Sequence, residues 1–220
     1  MLSAVCTEEL NSICLLDRMV PSHLERAFFG MNCFLASEPH FGMTRGVWKT
    51  TVGYGNAPSG SEECIETVMV EYDSQTVSYG QLLEIFFLQL DSFWNPVSSA
   101  CAPSVFVSNE FEKRLAQAAS GRHECAEGAN SSNIRVLVNK GFREASAICQ
   151  KHFLRAFPQL MREVENFYPD EDSFIHSTLA ARLNGALGLS SPLDRLPERI
   201  ELYGLSDTAL HELNRVLSCS

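Results

Sequence analysis

The sequence predicts an α+β fold: a two-layer α/β sandwich with a mixed sheet, followed by a helical C-terminal extension. Three observations point there. Val47–Tyr54 and Cys64–Tyr72 alternate with period two and carry β-branched residues. A strand–helix–strand pattern occurs twice before residue 110, and the periodicity beyond Phe142 is helical. With 220 residues, the chain can bury one good-sized core and still carry a small helical appendage.

Taken in order, residues 1–22 read as a peripheral helix ending before Pro21. Glu25–Met31 contains the apolar run Ala27-Phe28-Phe29 and is strand one. Asn32 is a plausible cap, and Cys33–Met43 is a helix broken once by Pro39. Gly46 turns the chain into the strand over 47–54, and 55–61 is a glycine-rich loop before the strand Cys64–Tyr72. Ser78 caps an amphipathic helix, Tyr79–Leu90. An irregular stretch leads to the strand Ser104–Ser108, a polar helix Glu110–Ser120, a loop Gly121–Ser132 and the strand Ile134–Asn139. The remainder reads as helices with breaks at Pro158, Pro169, Gly188–Pro192 and Gly204. This order suggests a ferredoxin-like βαβ-βαβ core over 23–155 and an extension over 156–220 packed on it.

Apolar residues make up 45% and charged residues 20%, the balance of a globular protein. A net charge of -10 leaves no basic surplus to neutralise phosphates, so neither nucleic acid nor an anionic membrane is expected as a partner. No apolar run approaches the roughly 18 residues that span a bilayer. Met1–Met19 carries Glu8, Glu9 and Asp17 and reads as neither a secretory signal nor a transit peptide. Eight scattered cysteines (6, 14, 33, 64, 101, 125, 149 and 219) read as reduced thiols, which places the protein in the cytoplasm.

The chemistry centres on Cys33, at a strand-to-helix junction where the partial positive charge of a helix terminus favours an anionic sulfur. Glu66 lies within an apolar strand, and on the alternation it shares a face with Cys64, Val68 and Val70. If that face is buried, the carboxyl holds its proton more readily. A thiolate beside a neutral acid is the pairing that reduces an oxidised group, the sulfur attacking while the acid protonates the oxygen. Periodicity alone leaves open a salt-bridged Glu66 on a solvent face. A zinc site from Cys149, His152, His123 and Cys125 is a weaker reading, because no paired CxxC supports it.

The order of motifs resembles the methionine sulfoxide reductase A family, enzymes specific for the S-epimer. The family's Gly-Cys-Phe-Trp-Gly-x-Glu signature corresponds to Asn32-Cys33-Phe34-Leu35-Ala36-Ser37-Glu38. Gly46-Val47, Val52-Gly53-Tyr54, Tyr72-Asp73 and the Ser78–Phe86 helix match further motifs. Counting back from Tyr72-Asp73, Glu66 falls on the family's proton-donating glutamate. Phe142, Ala145 and Gln150-Lys151 are similar to the segment before the last core helix, and Leu183-Asn184-Gly185 to an extension of insect-type members. The likeness spans roughly residues 25–205.

The resemblance implies a protein-repair enzyme of oxidative stress that needs no bound cofactor. Cys33 would attack the sulfoxide sulfur of free or peptide-bound methionine sulfoxide while Glu66 donates a proton, leaving Cys33 as a sulfenic acid. A second thiol, Cys219 or Cys64, would then form a disulfide that thioredoxin or another dithiol reduces. Phe34 and Leu35 would line the substrate pocket; Trp94, in a replaced loop, is read separately as a residue that could refill the methyl pocket or as an ordinary surface or core tryptophan. Leu35 replaces the family's tryptophan, the 55–61 loop has lost its tyrosine, and Cys101-Ala102-Pro103-Ser104 stands where the family has Gln-Tyr-x-Ser. The alternative is a repurposed member of the fold acting as a redox-sensing or binding protein.

Overall fold

The computed structural model describes residues 14–31, 33–55, 65–93, 103–127 and 134–218, with backbone alone for 91–93 and 124–127. Its strands are β1 (Glu25–Gly30), β2 (Val47–Gly55), β3 (Ile65–Tyr72), β4 (Ser104–Val107), β5 (Arg135–Val138) and β6 (Phe142–Glu144). They form one mixed sheet in the order β5-β4-β1-β3-β2-β6, antiparallel except for the β4–β5 pair. The helices are α1 (Leu15–Arg18), α2 (Phe34–Gly42), α3 (Tyr79–Phe93), α4 (Glu110–Glu127), α5 (His152–Arg155), α6 (Pro158–Glu165), α7 (Glu171–Ile175), α8 (Thr178–Gly188) and α9 (Asp207–Ser218). The α+β class with a mixed sheet is therefore realised.

Alternation decides what each strand buries. Val68, Val70 and Tyr72 of β3 point into the main core with Phe29 of β1, Val52 of β2, Phe41 of α2, and Leu82, Leu83 and Phe86 of α3. The other face gathers Phe28, Ile65, Met69 and Phe106, with Phe142 against them. Phe28 and Phe142 lie three strands apart in the sheet, about 14 Å if it were flat. Their ring centroids are 5.7 Å apart, so the sheet curls around this smaller cluster. Gly55 makes room for the curl: a β-carbon there would sit 2.6 Å from the Phe106 ring. Gln81 and Ser78 bond reciprocally at the start of α3, the capping box that fixes this helix.

A second apolar cluster unites Cys14 and Leu16 with Leu154, Leu160, Val164, Phe174, Leu179, Leu183 and Leu213. Helix α8 joins it to the sheet domain by packing tightly on α2. A β-carbon on Gly42 would lie 2.5 Å from the Ala181 carbonyl oxygen. Arg182, fully buried, is clamped by Glu198 at 2.7 and 2.8 Å and donates to the carbonyls of Gly42 and Val47.

Several sequence expectations are corrected. Pro39 does not break α2, which runs unbroken from Phe34 to Gly42. Helix α4 continues through Gly121 to Glu127. A single exposed glycine costs only about 1 kcal/mol against alanine, too little to end an 18-residue helix. Phe142–Glu144 is a strand rather than the onset of a helix, held by its register with Gly53–Gly55.

Candidate functional site

Strand β1 delivers the chain to the site. Met31 extends its ladder, donating its backbone N–H to the Glu66 carbonyl at 2.8 Å. Cys33 then has extended backbone (φ -144°, ψ 107°), while its carbonyl already accepts from the Ser37 N–H at 3.3 Å and the Ser37 hydroxyl at 3.0 Å. It is therefore the N-cap of α2. The expectation that Asn32 caps the helix and Cys33 sits in its first turn is corrected by one position. Asn32 itself lies outside the described residues. The Cys33 side chain makes no capping bond and is exposed at the helix terminus.

A glutamate satisfies the helix instead. Glu66 Oε2 accepts from the Phe34 N–H at 3.0 Å, taking up one of the donors that the first turn leaves without an intrahelical partner. Glu66 is half-buried on the sheet face of Val68 and Val70, so the buried-face reading holds and the solvent-face reading does not. Burial pushes its carboxyl pKa up, and the Phe34 amide opposes that shift. In the acid form one oxygen can still receive the amide while the other carries the proton outward.

Phe34 is 4% exposed, and its ring meets the Tyr54 ring edge-on at 5.9 Å and 79°. Tyr54 is the direct cross-strand partner of Glu66, so both side chains leave the same face of the sheet. Leu35 is partly buried against the main core. The structure thus brings together Cys33, Phe34 and Glu66. Trp94, Cys64, Cys219 and the substituted Cys101-Ala102 pair lie outside the described residues.

One turn along α2, the signature glutamate Glu38 is fully buried. Its oxygens accept from Lys151 Nζ at 2.6 Å, Thr50 Oγ1 at 2.9 Å and Asn184 Nδ2 at 3.1 Å. Lys151 Nζ also donates to the Thr50 carbonyl, and Gln150 pairs through its side chain with both backbone groups of Val52. The Gln150-Lys151 motif therefore anchors the chain after β6 under α2. Asn184 completes the anchor by accepting from the Phe153 and Leu154 amides.

Of the other described thiols, Cys14 is 2% exposed and faces the Leu202 and Tyr203 carbonyls at 3.4 Å each. Burial pushes its thiol pKa up, the setting of an inert cysteine. Among the described residues no three His, Cys, Asp or Glu side chains are placed to hold a metal. Nor is any helix there long and apolar enough to cross a membrane. Tyr54 is the neighbour of Glu66 and Phe34 that sequence reasoning passed over. Tyr54 stood in a matched motif, but only the β2–β3 register reveals that it faces Glu66.

Comparison with known proteins gives a consistent picture. A family model described as peptide methionine sulfoxide reductase matches residues 25–181. A peptide methionine sulfoxide reductase of Drosophila melanogaster is 26% identical over 191 residues, covering 83% of this chain and 76% of the relative. Peptide methionine sulfoxide reductase A5 of Oryza sativa subsp. japonica is 29% identical over 180 residues, covering 76% and 70% respectively. Among solved structures, methionine sulfoxide reductase A of Corynebacterium diphtheriae superposes with a TM-score of 0.52 at 19% identity, over 63% of this chain and 77% of that one. Reduced Mxr1 of Saccharomyces cerevisiae gives 0.53 at 16% identity, over 64% and 89%. At such identities the two structures speak for the fold.

Proposed function

We propose, from the premise that the chain belongs to the peptide methionine sulfoxide reductase family, that Cys33 and Glu66 reduce methionine S-sulfoxide at the N-terminus of α2. One observation carries the reading: the acid is hydrogen-bonded to the amide that follows the nucleophile, Glu66 Oε2 to Phe34 N at 3.0 Å. Nucleophile and acid are therefore held at one helix terminus, with the Phe34 and Tyr54 rings beside them as an apolar wall for the substrate's methyl group.

The Cys33 sulfur attacks the sulfoxide sulfur and Glu66 protonates the oxygen. The oxygen then passes to the Cys33 sulfur as its bond to the methionine sulfur and the newly formed sulfur–sulfur bond break; methionine leaves as the thioether and Cys33 is left as a sulfenic acid. A second thiol displaces it as water to give a disulfide, and an external dithiol, thioredoxin being the expected one, restores the thiols. Cys219 and Cys64 remain the candidates for the second thiol; Cys14, buried and bonded to backbone carbonyls, is not one.

The test is turnover of the separate S- and R-epimers of methionine sulfoxide, free and in peptides, with dithiothreitol as reductant. The wild type is expected to reduce the S-epimer and Cys33→Ser to reduce neither. Absence of S-epimer reduction by the wild type refutes the activity. Full activity in Cys33→Ser refutes the assignment of the nucleophile.

A further inference from the structure

The chain has five tyrosines, and the fold accounts for all but one of their hydroxyls. Those of Tyr72, Tyr168 and Tyr203 donate to the carboxylates of Glu25, Asp17 and Glu198, and that of Tyr79 is buried. Tyr54 differs. It is half-buried, and its hydroxyl is neither buried nor hydrogen-bonded to any described residue. This phenol, unused by the fold, stands beside Glu66, its direct partner across β2 and β3, on the same face of the sheet. Its ring is held on two sides: it meets Phe34 edge-on, and the Arg143 guanidinium carbon lies 4.7 Å from its centre. With the ring held, the direction of its C–O bond is set.

We propose that Tyr54 is a further catalytic residue of this site, its hydroxyl donating a hydrogen bond to the sulfoxide oxygen that Glu66 protonates. The inference rests on the reductase reading above. Attack by the Cys33 sulfur drives negative charge onto the sulfoxide oxygen. Glu66, with Oε2 on the Phe34 amide, offers its proton to one lone pair. The other is left to water unless the protein supplies a second donor, and a fixed donor needs no reorganisation as the charge develops. Two O–H donors on one oxygen, each at about 2.7–2.8 Å, stand about 4.5 Å from one another. Opposed side chains leave a strand pair about 5 Å apart, so Glu66 and Tyr54 match that separation. Tyr54 keeps its proton throughout. Glu66 gives up the one proton transferred, the oxygen moves to Cys33, and methionine leaves as the thioether. The Tyr54 ring serves the substrate's methyl group while its tip serves the oxygen.

Two variants separate the ring from the hydroxyl. Tyr54→Phe keeps the first and loses the second; Tyr54→Leu loses both. Each is measured on the S-epimer in steady state with dithiothreitol, and in a single turnover without reductant, which isolates attack and protonation from recycling. Tyr54→Phe is expected to lower kcat and the single-turnover rate by about 10²-fold, with KM within about twofold of the wild type. Its Tm should move by no more than about 2 °C, because the hydroxyl bonds nothing in the fold. Tyr54→Leu is expected to show the same fall in rate and a raised KM as well. A single-turnover rate in Tyr54→Phe within fivefold of the wild type, to take a bound of about half the expected effect on a logarithmic scale, overturns the inference while the reductase reading stands. So does a loss confined to KM, which would make the hydroxyl a ground-state contact only, or one accompanied by a Tm lowered by more than about 5 °C, which would make it part of the fold. A wild type that does not reduce the S-epimer overturns both.

Discussion

Two glutamates meet helix α2 and are treated in opposite ways. Glu66 approaches its first residue, half-buried, with the Phe34 amide on one oxygen and a pKa pushed up by burial. Glu38, four residues after Phe34, is 0% exposed and receives an ammonium, a hydroxyl and a side-chain amide. The first arrangement leaves a carboxyl able to take up and release a proton, because its amide bond survives either state. The second satisfies a carboxylate fully and ties three distant segments to one helix. The same side chain serves chemistry or architecture according to whether burial comes with a cation.

The largest effects test the first of these. Glu66→Gln keeps an oxygen for the Phe34 amide but cannot supply the acidic proton, so kcat/KM for the S-epimer is expected to fall by about 10²–10⁴-fold. Its Tm should stay close to that of the wild type. A loss below tenfold breaks the assignment. The pH profile adds a second reading. Because the acid form is required and the folded pKa is raised, activity falls as pH rises through that value, and this limb disappears in Glu66→Gln. The raised value also favours folding at low pH: that stability is complete below the unfolded glutamate pKa and lost as pH rises through the folded one. Urea unfolding across pH should show this slope in the wild type and its absence in the variant.

The second glutamate is tested through stability. Lys151→Met leaves Glu38 buried without its ammonium, which costs about 3–5 kcal/mol in unfolding experiments. Combining it with Glu38→Met should recover a substantial part, because the uncompensated charge goes with the pair. A single-variant cost below about 1 kcal/mol would mean that Thr50 and Asn184 suffice to hold Glu38. A smaller loss, about 1–3 kcal/mol, is expected for Gly185→Ala. A β-carbon there would lie 2.7 Å from Met43 Cγ and 3.0 Å from the Pro39 carbonyl oxygen, forcing α8 away from the helix that carries Cys33.

Much of this architecture is legible in the sequence, for identifiable reasons. Strands β1 to β3 and helix α3 are long enough for periodicity to show, and Cys33 and Glu66 stand out because their surroundings are apolar while they are not. Strand β6 is three residues long, too short to display alternation, and it exists only because β2 offers an edge. The contact of Phe142 with Phe28 across the curled sheet depends on that edge and was hidden with it. Glu38 and Lys151 lie 113 positions apart in the chain, so nothing local couples them. The cap at Cys33 shows the usual limit at helix ends, where one residue's backbone angle decides the boundary.

The smallest effect supplies the control for all of these. Lys113 and Glu110 form an ion pair at 3.3 Å on the surface of α4, with side chains 41% and 80% exposed. The Lys151–Glu38 pair joins the same two residue types at 2.6 Å with 0% and 1% exposed. Solvent screens the first pair and its side chains lose rotamer freedom on pairing, so Lys113→Ala should change stability by no more than about 0.5 kcal/mol. That small change should vanish in high salt, whereas the cost of Lys151→Met should persist there, since ions do not reach a buried pair. Equal salt sensitivity of the two variants would mean that water reaches Glu38, and the contrast between the two glutamates would then rest on Glu66 alone.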